Sequence, residues 1–164
     1  MTLALCPGSF DPTTRGHLDI FIRTLSFCDE LIIGLGVNST KGYLFSDAQR
    51  QILLRDALLE VQAPMERIRI MTIPGLLANF CRDQQIDVVV KGVRNSLDLE
   101  HEMPMAEANR ALCAVETILL PSAPNLGLVS SSIVKEVALL GGDISPYVTK
   151  NVALALAQER ELLG

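Results

Sequence analysis

The sequence predicts an α/β fold in which a doubly wound, parallel, five-stranded sheet carries helices on both faces, built as one domain over residues 1–164. Three observations lead there. Short aliphatic and β-branched runs alternate with stretches of helical periodicity from one end to the other. The strand-like runs are almost wholly apolar, as in strands covered on both sides. A chain of 164 residues that is 49% hydrophobic has enough apolar side chains for a single well-buried core.

In chain order, Leu3 to Cys6 reads as the first strand, and a helix from about His17 to Phe27 places Leu18, Phe21, Ile22 and Leu25 at helical spacing. Glu30 to Val37 is a second strand, followed by a polar loop, Asn38 to Phe45. Ser46 and Gln49 form a capping box for a helix through about Leu59, with Ile52, Leu53 and Leu58 in its stripe. Ile68 to Ile73 is the third strand, and Pro74-Gly75 turns into a short helix ending near Gln84 or Gln85. Val88-Val89-Val90 is a fourth, central in character, after which Lys91-Gly92-Val93-Arg94 leads to a helix over about Leu97 to Cys113. Val115 to Leu120 is the fifth strand, Ser130 to Ser132 open a helix that Gly141-Gly142 closes, and Pro146 starts the last helical region. This alternation makes the fold Rossmann-like, with ligands expected outside the carboxyl ends of the strands, where strand order reverses.

A net charge of -5 argues against a broad grip on nucleic acid or an anionic membrane, so any anion site must be local. Cys6, Cys28, Cys81 and Cys113 lack the close pairing of zinc or redox motifs and read as buried hydrophobes in a reducing compartment. With no basic-then-apolar leader and no run of about 18 apolar residues, a soluble, cytoplasmic protein is expected.

The most informative stretch is Pro7-Gly8-Ser9-Phe10-Asp11-Pro12-Thr13-Thr14-Arg15-Gly16-His17. A strand, a glycine-containing turn and a helix start aim unpaired N–H groups and the positive end of a helix dipole at one point, which suits a phosphate. His17 stands at that point and reads as functional. Thr14 is either a cap or a phosphate contact, and Ser9 either closes the turn or binds. Asp11, ahead of Pro12, reads as a turn former. Lys91 and Arg94 follow a fully apolar strand at the sheet edge and read as anion ligands, whereas Lys41 by itself is an ordinary loop lysine. The triple serine suits either a cap or a phosphate chain. By residue type, Glu100, His101, Glu102 and Glu107 form a solvated face, and Lys135 and Glu136 are exposed helix positions.

The opening stretch, Lys-Gly-Val-Arg at 91–94 and Ser-Ser-Ser-Ile-Val-Lys-Glu at 130–136 together resemble the bacterial phosphopantetheine adenylyltransferases, over nearly the whole chain. The resemblance implies transfer of an adenylyl group from ATP to 4'-phosphopantetheine, giving dephospho-CoA and pyrophosphate, the penultimate step of coenzyme A synthesis. It implies His17 as transition-state stabiliser, with Lys41 and Arg94 as further catalytic cations. Ser9, Lys41, Leu77 and Lys91 match acceptor contacts. Ser9, Phe10, His17, Gly92, Val93, Arg94, Glu102 and the segment Leu126, Gly127, Leu128, Val129, Ser130, Ser131, Ser132 match ATP contacts. Mg2+ is expected to arrive with the triphosphate, no metal ligands are assigned on the protein, and a homohexamer with feedback by CoA is implied. Three departures stand out: Ser9 replaces a common threonine, Lys91 a frequent arginine, and Leu126-Gly127-Leu128 carries no aromatic. Other readings are a nucleotidyltransferase acting on nicotinate mononucleotide or a phosphorylated alcohol, and a non-catalytic nucleotide-sensing domain. A fragment of an aminoacyl-tRNA synthetase is disfavoured by size and acidity.

Overall fold

The structure, a computed structural model, describes residues 1–37, 42–127 and 129–163, with only the backbone of Leu163. Five strands, β1 (Leu3–Gly8), β2 (Glu30–Gly36), β3 (Ile68–Ile73), β4 (Val88–Val93) and β5 (Glu116–Pro121), form one parallel sheet in the order β3-β2-β1-β4-β5. Strand order therefore reverses at β1 and β4. The helices are α1 (Arg15–Thr24), α2 (Asp47–Glu60), α3 (Leu77–Asp83), α4 (Ser96–Cys113), α5 (Ser131–Leu139) and α6 (Lys150–Leu163).

The sheet is apolar on both faces because helices cover both. Ala4, Cys6, Leu31, Ile33, Val88 and Val90 face α1 and α2 through Leu18, Phe21, Leu54 and Leu58. Alternate positions, Leu5, Ile32 and Val89, face Phe80 and Cys81 of α3. Each fully buried aliphatic side chain here contributes about 1.5–3 kcal/mol. A third cluster, Phe45, Leu53, Val134, Val148, Val152 and Leu156, lies between α2, α5 and α6, so the apolar interior is divided rather than single as expected. It anchors α5 beside the site. Two stripe assignments need correction: Ile22 and Ile52 are exposed, since each helix buries a narrower face than its apolar content suggests. The last helix starts at Lys150 rather than at Pro146.

One feature of the ladder opens the cleft. β1 pairs with β2 over six positions, Leu3 to Gly8, but with β4 only at Ala4 and Leu5. Pro7, with no N–H to give, falls where the β4 ladder has stopped. The two central strands part there, at their carboxyl ends. α4 continues through Pro104; this residue and Glu100, whose carbonyl the ring deprives of a partner, are both exposed to water.

Candidate active site

The β1–α1 loop is built around His17. Thr14 caps α1 and His17 completes a capping box: the Thr14 backbone N–H donates to His17 Nδ1 at 3.0 Å, and the His17 N–H donates to Thr14 Oγ1 at 3.4 Å. A backbone N–H can only donate, so Nδ1 carries a lone pair and the ring proton sits on Nε2. Burial, followed by the charges of Arg94 and Lys91, pushes the His17 pKa down to about 4, which keeps the ring neutral. Phe10 packs edge-on against it at 5.0 Å between centroids, and Phe21 stacks at 6.5 Å. Phe10 reaches that position from a left-handed backbone conformation, φ 47°, which a bulky residue adopts only when its surroundings hold it. At Gly16 an added Cβ would stand 3.2 Å from the Leu126 carbonyl oxygen, so the 122–127 loop can close over the helix start.

A cavity of about 300 Å³ opens here, lined by Gly8, His17, Gly92, Arg94, Leu126 and Ser130 to Ser132 among others. Its cations are already partnered. Arg94 donates from Nε to Asp98 Oδ2 at 2.8 Å and from a terminal nitrogen to Oδ1 at 3.1 Å. Lys91 Nζ lies 2.9 Å from Glu102 Oε1. A second cavity, about 560 Å³, lies on the other side of Lys91 and Glu102 and is lined by Ser9, Val37, Tyr43, Ile73, Leu77, Met105 and Asn109 among others. Pro7, Gly8, Lys91 and Glu102 belong to both walls.

Residues 5–137 match the family model described as cytidylyltransferase-like. A phosphopantetheine adenylyltransferase of Nocardioides sp. is 47% identical over 148 residues, 90% of this chain and 91% of that protein. The chain belongs to the phosphopantetheine adenylyltransferase family. Family members so named from Bifidobacterium longum and Streptomyces coelicolor are 42% and 41% identical, the former covering 98% of both chains and the latter 96% of this chain and 97% of its own. Solved structures of a putative nicotinate-nucleotide adenylyltransferase from Vibrio parahaemolyticus share the fold (TM-score 0.67, 14% identity, 96% of this chain and 99% of that one). A bifunctional NMN adenylyltransferase/ADP ribose pyrophosphatase from Francisella tularensis does so at TM-score 0.71 and 15% identity, over 99% of this chain and 51% of the other.

Most residues singled out from the sequence of this phosphopantetheine adenylyltransferase family member gather on the two walls. Phe10, His17, Gly92, Arg94, Leu126, Val129, Ser130, Ser131 and Ser132 line the first cavity, Ser9 and Leu77 the second, and Lys91 and Glu102 both. Val93 and Gly127 are in neither lining; Gly127 instead packs near the Arg94 side chain, where an added Cβ would stand 3.8 Å from its Cγ. Lys41 and Leu128 lie outside the described residues. The serine run divides its labour: Ser130 caps α5 through the Ile133 N–H, while Ser131 Oγ donates to the Pro12 carbonyl at 2.8 Å.

Two residues behave differently from their sequence reading. Asp11 does lie in a turn with Pro12, and its side chain does more than form it: it is 3% exposed and accepts from the Leu44 and Phe45 N–H groups and from Lys135 Nζ at 2.8 Å. Lys135 is accordingly drawn inward rather than fully solvated. Other residues at the site carry no distinctive signal in the sequence. Arg50, fully buried, donates to the Ser9 and Gly36 carbonyls and stacks on Tyr43, tying together the ends of β1 and β2. Asp98, Met105 and Asn109 join Glu102 on one face of α4, at steps of three and four residues, and line the cavities. That spacing was the available signal, and it needed the helix's orientation to become informative. His101 is exposed yet forms part of the second wall. The thiol of Cys6, on the first wall, is pushed up to about 12 by burial and is no nucleophile.

Proposed function

We propose that the protein transfers the adenylyl group of ATP to 4'-phosphopantetheine, yielding dephospho-CoA and pyrophosphate in the penultimate step of coenzyme A synthesis. The observation that carries this reading is the pair of cavities meeting at one wall, Pro7, Gly8, Lys91 and Glu102. One is lined by a helix N-terminus, a guanidinium and an imidazole, which suits a triphosphate. The other, with Leu77, Ile73 and Met105, suits a flexible and partly apolar arm whose phosphate reaches the shared wall.

An oxygen of the acceptor phosphate attacks the α-phosphorus, and the bond from that phosphorus to the bridging oxygen of pyrophosphate breaks. The nucleophile is already ionised, its second pKa being about 6, so no side chain has to act as base. Placing two polyanions in line and stabilising the α-phosphate oxygens is the whole catalytic task. His17 supplies a neutral Nε2–H donor to a non-bridging oxygen, held in that tautomer by the Thr14 N–H. Arg94 serves the nucleotide with Phe10, Gly92, Val93, Glu102 and the 126–132 segment, Lys91 stands between the substrates, and Lys41, with Ser9 and Leu77, serves the acceptor.

Mg2+ enters as part of the MgATP substrate, where it neutralises phosphate oxygens. Asp98 and Glu102, the carboxylates on the first cavity, are ion-paired to Arg94 and Lys91. We extend the proposal to a cytoplasmic homohexamer subject to feedback by CoA. None of the described helices is long and apolar enough to cross a membrane. Self-association draws support from the exposed apolar side chains of α4, Leu97, Met103 and Leu112, and of α2, Ile52 and Leu59, whereas Leu53, Leu54 and Leu58 of α2 are buried.

Pyrophosphate release measured with ATP against a panel of acceptors tests the reading. Release with 4'-phosphopantetheine and none with nicotinate mononucleotide is expected. Release only with the latter, or ATP binding with no release across the panel, overturns it.

A further inference from the structure

Asp98 is attached to Arg94 at every point the geometry allows. Its Oδ2 accepts from the Arg94 backbone N–H at 3.0 Å and from Nε at 2.8 Å, and its Oδ1 accepts from a terminal nitrogen at 3.1 Å. Asp98 is itself fixed, because its N–H is held by the Asn95 side chain that caps α4. This side-on grip uses Nε and one N–H of a terminal nitrogen, leaving the remaining guanidinium N–H groups to face other partners.

A carboxylate on the wall of a polyphosphate cavity raises a question, since its charge repels the ligand. Solubility does not account for it: the side chain is 23% exposed and lines the cavity rather than the outer surface. Asn95 already caps α4, and Asp98, the acidic residue of its first turn, suits the helix dipole without having to engage a guanidinium with both oxygens. What remains is the guanidinium. Arg94 follows directly on β4 at the mouth of the cleft and has a long side chain that samples many rotamers unless something holds it.

We propose that Asp98 is the positioning residue for Arg94, locking its guanidinium in the plane from which it meets the nucleotide's phosphates. The inference rests on the adenylyltransferase reading above. Asp98 touches no reacting atom. Its carboxylate stays ionised, since the Arg94 side chain holds its pKa below the usual range.

The test is a double-mutant cycle with Asp98→Asn, Arg94→Met and the double variant, reading kcat, KM for each substrate and, separately, nucleotide affinity by calorimetry. Asn keeps one acceptor oxygen for Arg94 but cannot accept from Nε and from the terminal nitrogen on two separate oxygens. With Arg94 present, Asp98→Asn should lower kcat/KM for ATP by roughly 10- to 100-fold, the range of charge-assisted hydrogen bonds, with little change in KM for the acceptor and only a small drop in melting temperature. In the Arg94→Met background it should cause no loss, and relief of the then unpaired carboxylate's repulsion should, if anything, tighten ATP binding. Equal losses with and without Arg94, no loss at all, or an Arg94→Met variant as active as the parent would each overturn the proposal. If the parent releases no pyrophosphate, the functional reading fails, while the calorimetric cycle on ATP still decides the role of Asp98.

Discussion

Lys135 Nζ lies 2.8 Å from Asp11 Oδ2, a contact between the β1–α1 loop and a residue of α5 124 positions further on. The same carboxylate holds Leu44 and Phe45 by their N–H groups, so three segments meet on one buried charge. Removing the ammonium leaves that charge uncompensated. Lys135→Met should cost roughly 3–5 kcal/mol of stability, read as a lowered denaturation midpoint. A midpoint within error of the parent would show that the pair contributes nothing net.

His17 should stay neutral in the free protein throughout the physiological range. Its folded pKa, about 4, lies below the reference 6.5. Between those values the unfolded chain binds more protons, so this group makes stability fall as pH drops from 6.5 toward 4 and leaves it flat above 6.5. Ring proton shifts followed by NMR in a His101→Gln background, which leaves one histidine, should show no titration from pH 8 down to about 5.5. A midpoint near 6.5 would overturn the burial-depressed pKa.

His17→Ala should lower kcat by about 10²–10³-fold, the cost of losing one preorganised donor to a developing oxyanion. ATP affinity should change much less. The variant also loses the capping-box partner of Thr14, a penalty of about 0.5–1 kcal/mol that thermal melts will register. Turnover equal to that of the parent would remove His17 from the mechanism.

Two glycine substitutions separate site from scaffold. A Cβ at Gly8 would fall 2.6 Å from Phe10 Cζ, and Phe10 is the ring that backs His17. A Cβ at Gly34 would fall 2.5 Å from Ile73 Cδ1, inside the sheet's packing. Gly8→Ala should depress turnover out of proportion to stability, and Gly34→Ala should cost about 1–3 kcal/mol with kcat retained in the folded fraction. Steady-state kinetics beside denaturation curves checks both, and the opposite pattern would place Phe10 outside the site.

The pattern of local residue choices made the architecture legible. Val88-Val89-Val90 has no plausible role except as a covered strand, and the cations that follow it, Lys91 and Arg94, do line the cleft. The loop around His17 could be read because its chemistry is contiguous. Asp11 and Lys135 could not, since a carboxylate before a proline looks the same whether its partner is water or an ammonium brought in by the fold. Arg50 is the sharper case. A fully buried guanidinium contradicts every compositional expectation and is tolerated because two strand-end carbonyls and Asp47 converge on it. Asp98 and Asn109 stayed hidden because α4, with apolar side chains exposed and Asn109 buried, offers no conventional inner face.

The Lys91–Glu102 pair on the wall between the cavities has a further consequence for traffic through the site. Like a resin loaded with its own counter-ion, the cleft takes up a phosphate by exchange, and the free energy gained is only the difference between two ion pairs. Arg94 differs, because Asp98 keeps its grip and the phosphate meets the guanidinium's remaining N–H groups. Such a cleft discriminates by shape more than by charge, holds stray polyanions weakly, and loosens its hold on phosphate as Glu102 reclaims Lys91.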